Sequence, residues 1–320
     1  MFPETYPNTP VGNFEYFWQE FDQFYGLFQV RAIDWDSAYA QFRPQVDLTT
    51  TDTELYETLV DMLQLLDDGH VALIPIGTDL PQYVGGPIGR IDTIQDFNLE
   101  IIKTRYLNDP QETDFAMLYD VIEDSIGYVH IYGFADGEKA FDREMEILME
   151  AVADTKGLII DIRGGYGGED IAGKTIASYF TDQERLYMTN RVKNGPGPLD
   201  FTEPVSWYIR PRGEAPYLHP IVLLTNRLTV SARETFELAM RTLPQVTVVG
   251  DTSAGAFSNN MLSEMPNGWG FSFSIGDWRA ADGTSYEGVG IPPDVLIQNL
   301  RSELLDGQDR VLDKALEVLR

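Results

Sequence analysis

The chain contains no cysteine, so neither a disulfide framework nor a thiolate metal site can be built from it. Histidine is almost as scarce, at three residues. With no H-E-x-x-H pattern and no cysteine pair, neither a structural nor a catalytic metal is expected, and no cofactor is called for. No apolar run is long enough to span a bilayer, and Met1-Phe2-Pro3 does not open a signal peptide. The chain therefore reads either as cytosolic or as a mature domain without its leader. Positive charge is thin as well: 23 basic residues stand against 51 acidic ones, for a formal charge of −28. Such a surface repels phosphate backbones and anionic lipid, which argues against nucleic acid and membranes as partners. Its simplest role is solubility. Internal repeats and low-complexity segments are missing too. What remains is an ordinary globular balance, 43% hydrophobic and 23% charged, on a chain long enough for one large domain or two smaller ones.

The N-terminal part reads as helical. From Asn13 to Phe28 the aromatic residues fall three and four apart, one apolar helix face. A second helix fits Trp35 to Phe42, halted by Arg43-Pro44. Thr51 caps a third, with Leu55, Leu59 and Met62 as its stripe, which ends at Asp67-Asp68-Gly69-His70 with Gly69 at positive φ. From His70 onward the pattern changes. Strands are expected at 71–76, 126–132, 157–162, 220–225 and 246–249, and strands or hairpin arms at 98–106 and 116–122. Helices are expected at 138–153, 169–180 and 232–243. Buried strands alternating with helices imply βαβ units with right-handed crossovers. The expected division is a helical subdomain over 1–70 and an α/β domain over 71–320.

Gly168-Glu169-Asp170-Ile171-Ala172-Gly173-Lys174-Thr175 satisfies the phosphate-loop pattern G-x-x-x-x-G-K-[ST] and lies between a strand and a helix. A nucleotide hydrolase is the reading this would support. However, Glu169 and Asp170 would set two carboxylates beside the phosphates, and the strand ends too early to lead into Gly168. The two acids better suit the positive end of a helix, with Lys174 an exposed helix residue.

Four segments carry a more specific pattern. They are Asp67-Asp68-Gly69-His70-Val71, then Leu158 to Arg163 followed by Gly164-Gly165-Tyr166-Gly167-Gly168. Next come Val222 to Asn226 with Thr229-Val230-Ser231-Ala232-Arg233-Glu234 and Val248-Val249-Gly250-Asp251-Thr252, and finally Tyr286-Glu287-Gly288-Val289-Gly290-Ile291-Pro292-Pro293-Asp294. In this order and spacing the chain resembles the S41 peptidases, which include the C-terminal processing proteases and the tricorn catalytic core. The resemblance implies a crotonase/ClpP-like α/β core with an N-terminal helical subdomain. It also implies a serine-type peptidase with a peptide or protein substrate, and an extracytoplasmic location, in the periplasm or cell envelope. A PDZ domain is not expected: the stretch from Val71 to about Ser125 lacks a carboxylate-binding loop.

Ser231 matches the family nucleophile, and its position after a buried strand and at a helix start suits developing negative charge. An ordinary N-cap serine would look the same. The resemblance makes the backbone N–H of Ala232 one oxyanion donor and the paired glycines Gly167 and Gly168 the source of the other. Asp161 and Arg163 read as a strand-end ion pair or loop brace. The processing proteases place a lysine about 25 residues after their serine; Ala256 stands there instead, and the only lysine after Ser231 is Lys314. The tricorn-like branch uses a histidine, and His70 matches its place, with Glu287 matching the acidic partner. Where that branch has a serine before its histidine, this chain has Gly69; either the fourth member of the relay is absent or another hydroxyl, Ser253, replaces it. His130 and His219 carry no such pattern. The competing reading is a non-catalytic ligand- or lipid-binding protein on the same fold.

Overall fold

In the computed structural model, residues 6–90, 95–123, 125–135, 137–165 and 167–320 are described. The chain divides into two compact units, the first comprising Met1–Ile91, Asn190–Val205 and Ser258–Trp278, and the second Asp92–Thr189, Ser206–Phe257 and Arg279–Arg320. Strands Arg185–Val192, Val205–Ile209 and Gly276–Ala280 contain points at which the chain passes from one unit to the other.

In the first unit, local signals set the helices. Thr9 caps helix Pro10–Phe24 by accepting from Gly12 N–H, with proline at the first helical position. Asp34 caps Trp35–Phe42, and Thr51 with Glu54 forms a full capping box at the start of Asp52–Gln64. The aromatic face expected to run to Phe28 breaks at Tyr25; Phe28 opens a separate short helix, Phe28–Arg31. Phe14, Phe17 and Phe21 are fully buried. Phe21 is the hub, with ring centroids of Phe17, Trp35 and Phe273 at 4.8, 5.3 and 4.9 Å. Phe273 and Phe271 lie on strand Gly270–Ser274, which pairs antiparallel with Asn260–Glu264 on one side and Ala72–Ile74 on the other. The reversal before His70 departs from expectation. The helix stops at Gln64, and the left-handed residue is Asp67 (φ 45°), not Gly69. Aspartate tolerates that region through its short polar side chain, so the turn closes before the glycine is reached.

The second unit is built on a seven-stranded sheet. Its order is Val295–Leu296, Val246–Gly250, Ile221–Thr225, Gly157–Asp161, Ile126–Ile131, Met117–Ile122, Gln111–Glu112. The first five run parallel and the last two join antiparallel. Gly157–Asp161 and Ile221–Thr225 are buried at every residue, as their continuous apolar runs require. Helices Glu138–Val152, Asp170–Ala177 and Ala232–Met240 fall where the periodicity placed them. Residues 98–106 are a correction: they form helix Leu99–Arg105, not a strand. Ile101-Ile102 favours a strand locally, but Asn98 caps the first turn through Glu100 N–H, and Lys103 and Arg105 suit the last. Helices Asp170–Ala177 and Ala232–Met240 approach closely at Gly173, where a Cβ would stand 3.0 Å from the Cβ of Phe236.

Phe21→Ala is expected to cost about 3–5 kcal/mol, since a buried phenylalanine ring loses both its transfer energy and its close packing. Urea denaturation of the two proteins measures it.

Candidate active site

Ser231 lies beyond the carboxyl end of strand Ile221–Thr225 and is the N-cap of helix Ala232–Met240. Its backbone does not take the extended form of an ordinary N-cap: φ is 60° and ψ −125°. A non-glycine residue held in such a region costs about 1–3 kcal/mol and persists only where its surroundings over-determine it. Here they do. Ser231 N–H donates to the carbonyl of Ala256 at 3.0 Å and to Glu234 Oε2 at 3.1 Å. Gly167 lies against it: a Cβ there would come within 2.5 Å of the Ser231 Cβ and 2.9 Å of both its Oγ and the Ala232 nitrogen. Only a glycine lets the loop sit so close to the hydroxyl. Gly168 (φ 143°) bridges to Phe134, and a Cβ there would meet the Phe134 carbonyl at 2.3 Å. Tyr166, between the glycines, lies outside the described residues.

Glu234 was not singled out by sequence, yet it organises this turn. Its fully buried carboxylate accepts from four donors: Ser253 Oγ and Gly255 N–H on Oε1, both at 2.6 Å, and Ala256 N–H and Ser231 N–H on Oε2, at 2.8 and 3.1 Å. Burial raises its pKa to about 7, with the four hydrogen bonds opposing that rise. The available signal was the S-x-x-E spacing of Ser231 and Glu234, which marks a capping box. Ser253 is fixed on both sides, its hydroxyl donating to Glu234 and accepting from Ile291 N–H at 2.8 Å.

Glu287 is buried, and Phe257 N–H donates to its Oε2 at 2.9 Å. The Ala256 carbonyl that holds Ser231 and the Phe257 N–H that holds Glu287 belong to one peptide group. The Ser231 nitrogen and the Glu287 carboxylate are therefore no more than about 8 Å apart, on opposite sides of one planar unit. Segments 253–256 and 286–291 interlock around it: Gly288 N–H donates to Gly255 O at 2.8 Å, and a Cβ on Gly290 (φ 78°) would strike the Ser253 carbonyl.

Beneath this loop cluster the strand ends are braced. Buried Arg233 donates to the carbonyls of Ile162, Ile131 and Tyr132 at 2.6, 3.0 and 2.7 Å, and Gly165 leaves room for its guanidinium. Asp161 and Arg163 form the expected strand-end ion pair, 2.7 Å and fully buried, extended to Asp309 at 3.0 Å. His130 is stacked on Phe97, and burial lowers its pKa to about 4. His219 is exposed.

The structure thus gathers Ser231, Ala232, Gly167, Gly168, Ser253 and Glu287 in the second unit. His70 lies in the first unit. Its N–H donates to Asp68 Oδ1 at 2.9 Å and its carbonyl accepts from Ser272 Oγ at 2.8 Å. Its Nδ1 has no hydrogen-bond partner among the described residues. Burial lowers its pKa, against the opposing charge of Asp68. The phosphate-loop pattern dissolves in three dimensions. The strand ends at Asp161, Gly173 packs on Phe236, and Lys174 lies over the Trp207 ring at 5.8 Å. Among the described residues no cluster of His, Asp or Glu could hold a metal ion, and no helix is long and apolar enough to cross a membrane.

The sequence profile of peptidase family S41 matches residues 125–297, and that of the tricorn protease C1 domain matches residues 7–64. The carboxy-terminal processing protease CtpA of Bacillus subtilis (strain 168) is 27% identical over 187 residues, covering 58% of this chain and 37% of that protein. The matches span 37% or 38% of the length of such curated relatives. Among solved structures, an assumed peptidase from Parabacteroides merdae ATCC 43184 is 30% identical, with a TM-score of 0.86 over 98% of this chain and 97% of that one. Mature CPAF, 12% identical, shares the fold with a TM-score of 0.73 over 97% and 96% of the two chains. These likenesses agree with the α/β core and helical N-terminal region expected from the sequence.

For Glu234 the sign of the pH effect follows from linkage. The folded chain keeps its proton up to about pH 7 while the unfolded chain releases it near 4.5, so its contribution to stability is full below 4.5 and is lost as pH rises through 7. Glu234→Gln should flatten that slope. It should also cost about 1–3 kcal/mol, because the amide turns donors toward N–H groups. Urea midpoints across the pH range measure both.

Proposed function

The chain belongs to peptidase family S41, and on that premise we propose that it is a serine-type peptidase hydrolysing peptides or unfolded protein segments, with Ser231 as nucleophile. The observation that carries the reading is the backbone of Ser231. It is strained into positive φ at a helix N-terminus, with the glycine loop pressed against its hydroxyl. An N-cap serine serving only the helix needs neither the strain nor the glycine contact. Strain of this kind gathers at sites where a nucleophile must project from a strand-to-helix turn.

In this mechanism His70 is the general base. Its lowered pKa keeps the imidazole neutral at pH 7, able to take the Ser231 proton as the oxygen attacks the scissile carbonyl. The Ala232 N–H, at the start of the helix, and the backbone of Gly167 and Gly168 stabilise the oxyanion. His70 then returns the proton to the leaving amine, and water completes the cycle by the same route in reverse. Glu287 supports the site as its acidic member. A lysine base has no place here: Ala256 occupies that position, and its carbonyl holds the Ser231 backbone. We place the action of the protein outside the cytoplasm, at the cell envelope; this rests on the family resemblance alone.

Ser231→Ala should lower kcat at least ~10³-fold, and an activity-based serine phosphonate should label the parent protein at Ser231 only. Folded protein that stays unlabelled while binding an apolar ligand would replace the peptidase with the ligand-binding reading. His70→Ala should abolish labelling. The acid limb of kcat/KM should lie below the usual histidine value of 6.5, because burial disfavours the imidazolium.

A further inference from the structure

The two ring nitrogens of His70 are not equivalent. The residue as a whole is half-buried, but its Nδ1 is shut off from solvent and has no hydrogen-bond partner among the described residues. Two positions earlier stands a complementary group. Asp68 is fully buried, and its Oδ1 accepts from the His70 backbone N–H. Its Oδ2 is likewise shut off from solvent and without a partner among the described residues. One turn of chain thus buries an acceptor that lacks a donor beside an imidazole nitrogen that lacks an acceptor. Capping the turn does not explain the charge, since an asparagine would accept the same N–H without it. Burying a carboxylate is costly unless something nearby uses it.

The turn is clamped so that the two groups stay together. A Cβ on Gly86 (φ 51°) would stand 2.4 Å from the Gly69 nitrogen and 2.6 Å from the Asp68 carbonyl carbon, and one on Gly85 would stand 2.5 Å from the Asp68 oxygen. Gly85 N–H donates to the carbonyl of Val71 at 2.8 Å, beyond His70. With Oδ1 fixed on the His70 N–H, covalent geometry keeps it within about 8 Å of Nδ1. The other charges around the turn are turned to different work. Arg31, which opposes the imidazolium, donates to the carbonyls of Leu66 and Asp67 at 3.2 and 2.9 Å. Asp67 is exposed and pairs with Arg90 at 2.8 Å. Tyr83 has its pKa raised by burial. Asp68 is the one charge on His70 that favours the imidazolium, against burial and Arg31.

We propose that Asp68 is the positioning residue of His70: its carboxylate selects the tautomer with hydrogen on Nδ1 and stabilises the imidazolium formed when Nε2 takes the Ser231 proton. That proton passes from Oγ to Nε2, Nδ1 keeps its own, and Asp68 stays ionised throughout. The contact from Nδ1–H to Oδ2 closes as substrate settles, as catalytic hydrogen bonds commonly do. The kinetic consequence rests on the peptidase reading of Ser231 and His70; the tautomer belongs to the resting protein and does not.

Nitrogen NMR of protein labelled at its histidines, with His70 assigned from His70→Gln, should show Nδ1 protonated and Nε2 bare at about pH 8, where the ring is neutral. Asp68→Asn keeps an oxygen for the His70 N–H and removes only the charge. It should lower kcat at least ~10²-fold and move the acid limb of kcat/KM to lower pH, because the imidazolium loses its counter-charge. Asp67→Asn removes an equal charge from the exposed side of the same turn and should alter neither. An Nε2–H tautomer in the parent protein overturns the proposal without any variant having to fold. So does a folded Asp68→Asn protein whose acid limb coincides with the parent's. Turnover surviving in Ser231→Ala would instead sink the peptidase mechanism, and the tautomer would then decide the role of Asp68 alone.

Discussion

A carboxylate shut away from solvent and approached by four donors governs the geometry around Ser231. Glu234 draws in the backbone of Ser231 from its own helix and the N–H groups of Gly255 and Ala256 from a segment 20 residues onward, with Ser253 Oγ as the fourth. A buried carboxylate is costly unless its lone pairs are met. The loop that meets them therefore cannot drift without exposing that cost. The strained Ser231 backbone sits inside this arrangement, and the helix of residues 232–240 begins from it. Conformational strain and electrostatic satisfaction are coupled at one turn: the second holds the first in place.

A further layer lies at the ends of the parallel strands. Arg233, the second residue of the same helix, ties three strand-end carbonyls together, while Arg163 does the equivalent work through Asp161 and Asp309. Both guanidiniums are buried, which favours arginine over lysine because several fixed donors must reach several acceptors at once. The glycine loop rests on this platform, with Gly165 leaving space for one guanidinium and Gly167 leaving space for the Ser231 side chain.

Much of this was legible in the sequence where the determining physics is local. Thr51 with Glu54, and Asp34 ahead of Trp35, announce helix starts because a cap is satisfied within a few residues. The runs at 157–161 and 221–225 announce buried strands because both faces must be apolar. At 99–105 the cap at Asn98 prevails over the local strand preference of Ile101-Ile102, so a helix forms where the pattern suggests a strand. The turn before His70 closes earlier than the glycine suggests because Asp67, and not Gly69, takes the left-handed conformation. The positive φ of Ser231 left no mark in composition or periodicity. The four-donor role of Glu234 depends on residues 253–256, so only the short S-x-x-E spacing hinted at it. Family likeness named Gly167, Ser231, Glu287 and His70; the peptide group joining Ser231 to Glu287 could be seen only in coordinates.

The aromatic cluster around Phe21 draws on chain that is synthesised long after it. Phe14, Phe17 and Phe21 are buried beside Phe271 and Phe273, some 250 positions downstream of Phe21 (273 − 21 = 252). On a ribosome the first helices would emerge with that face bare and stay so until the strand of residues 270–274 arrived. At about 5–20 residues per second that is a wait of roughly 10–50 seconds. During it the nascent chain presents an oily stripe that a chaperone could shield, whereas the parallel strands at 126–131 and 157–161 already have each other as neighbours.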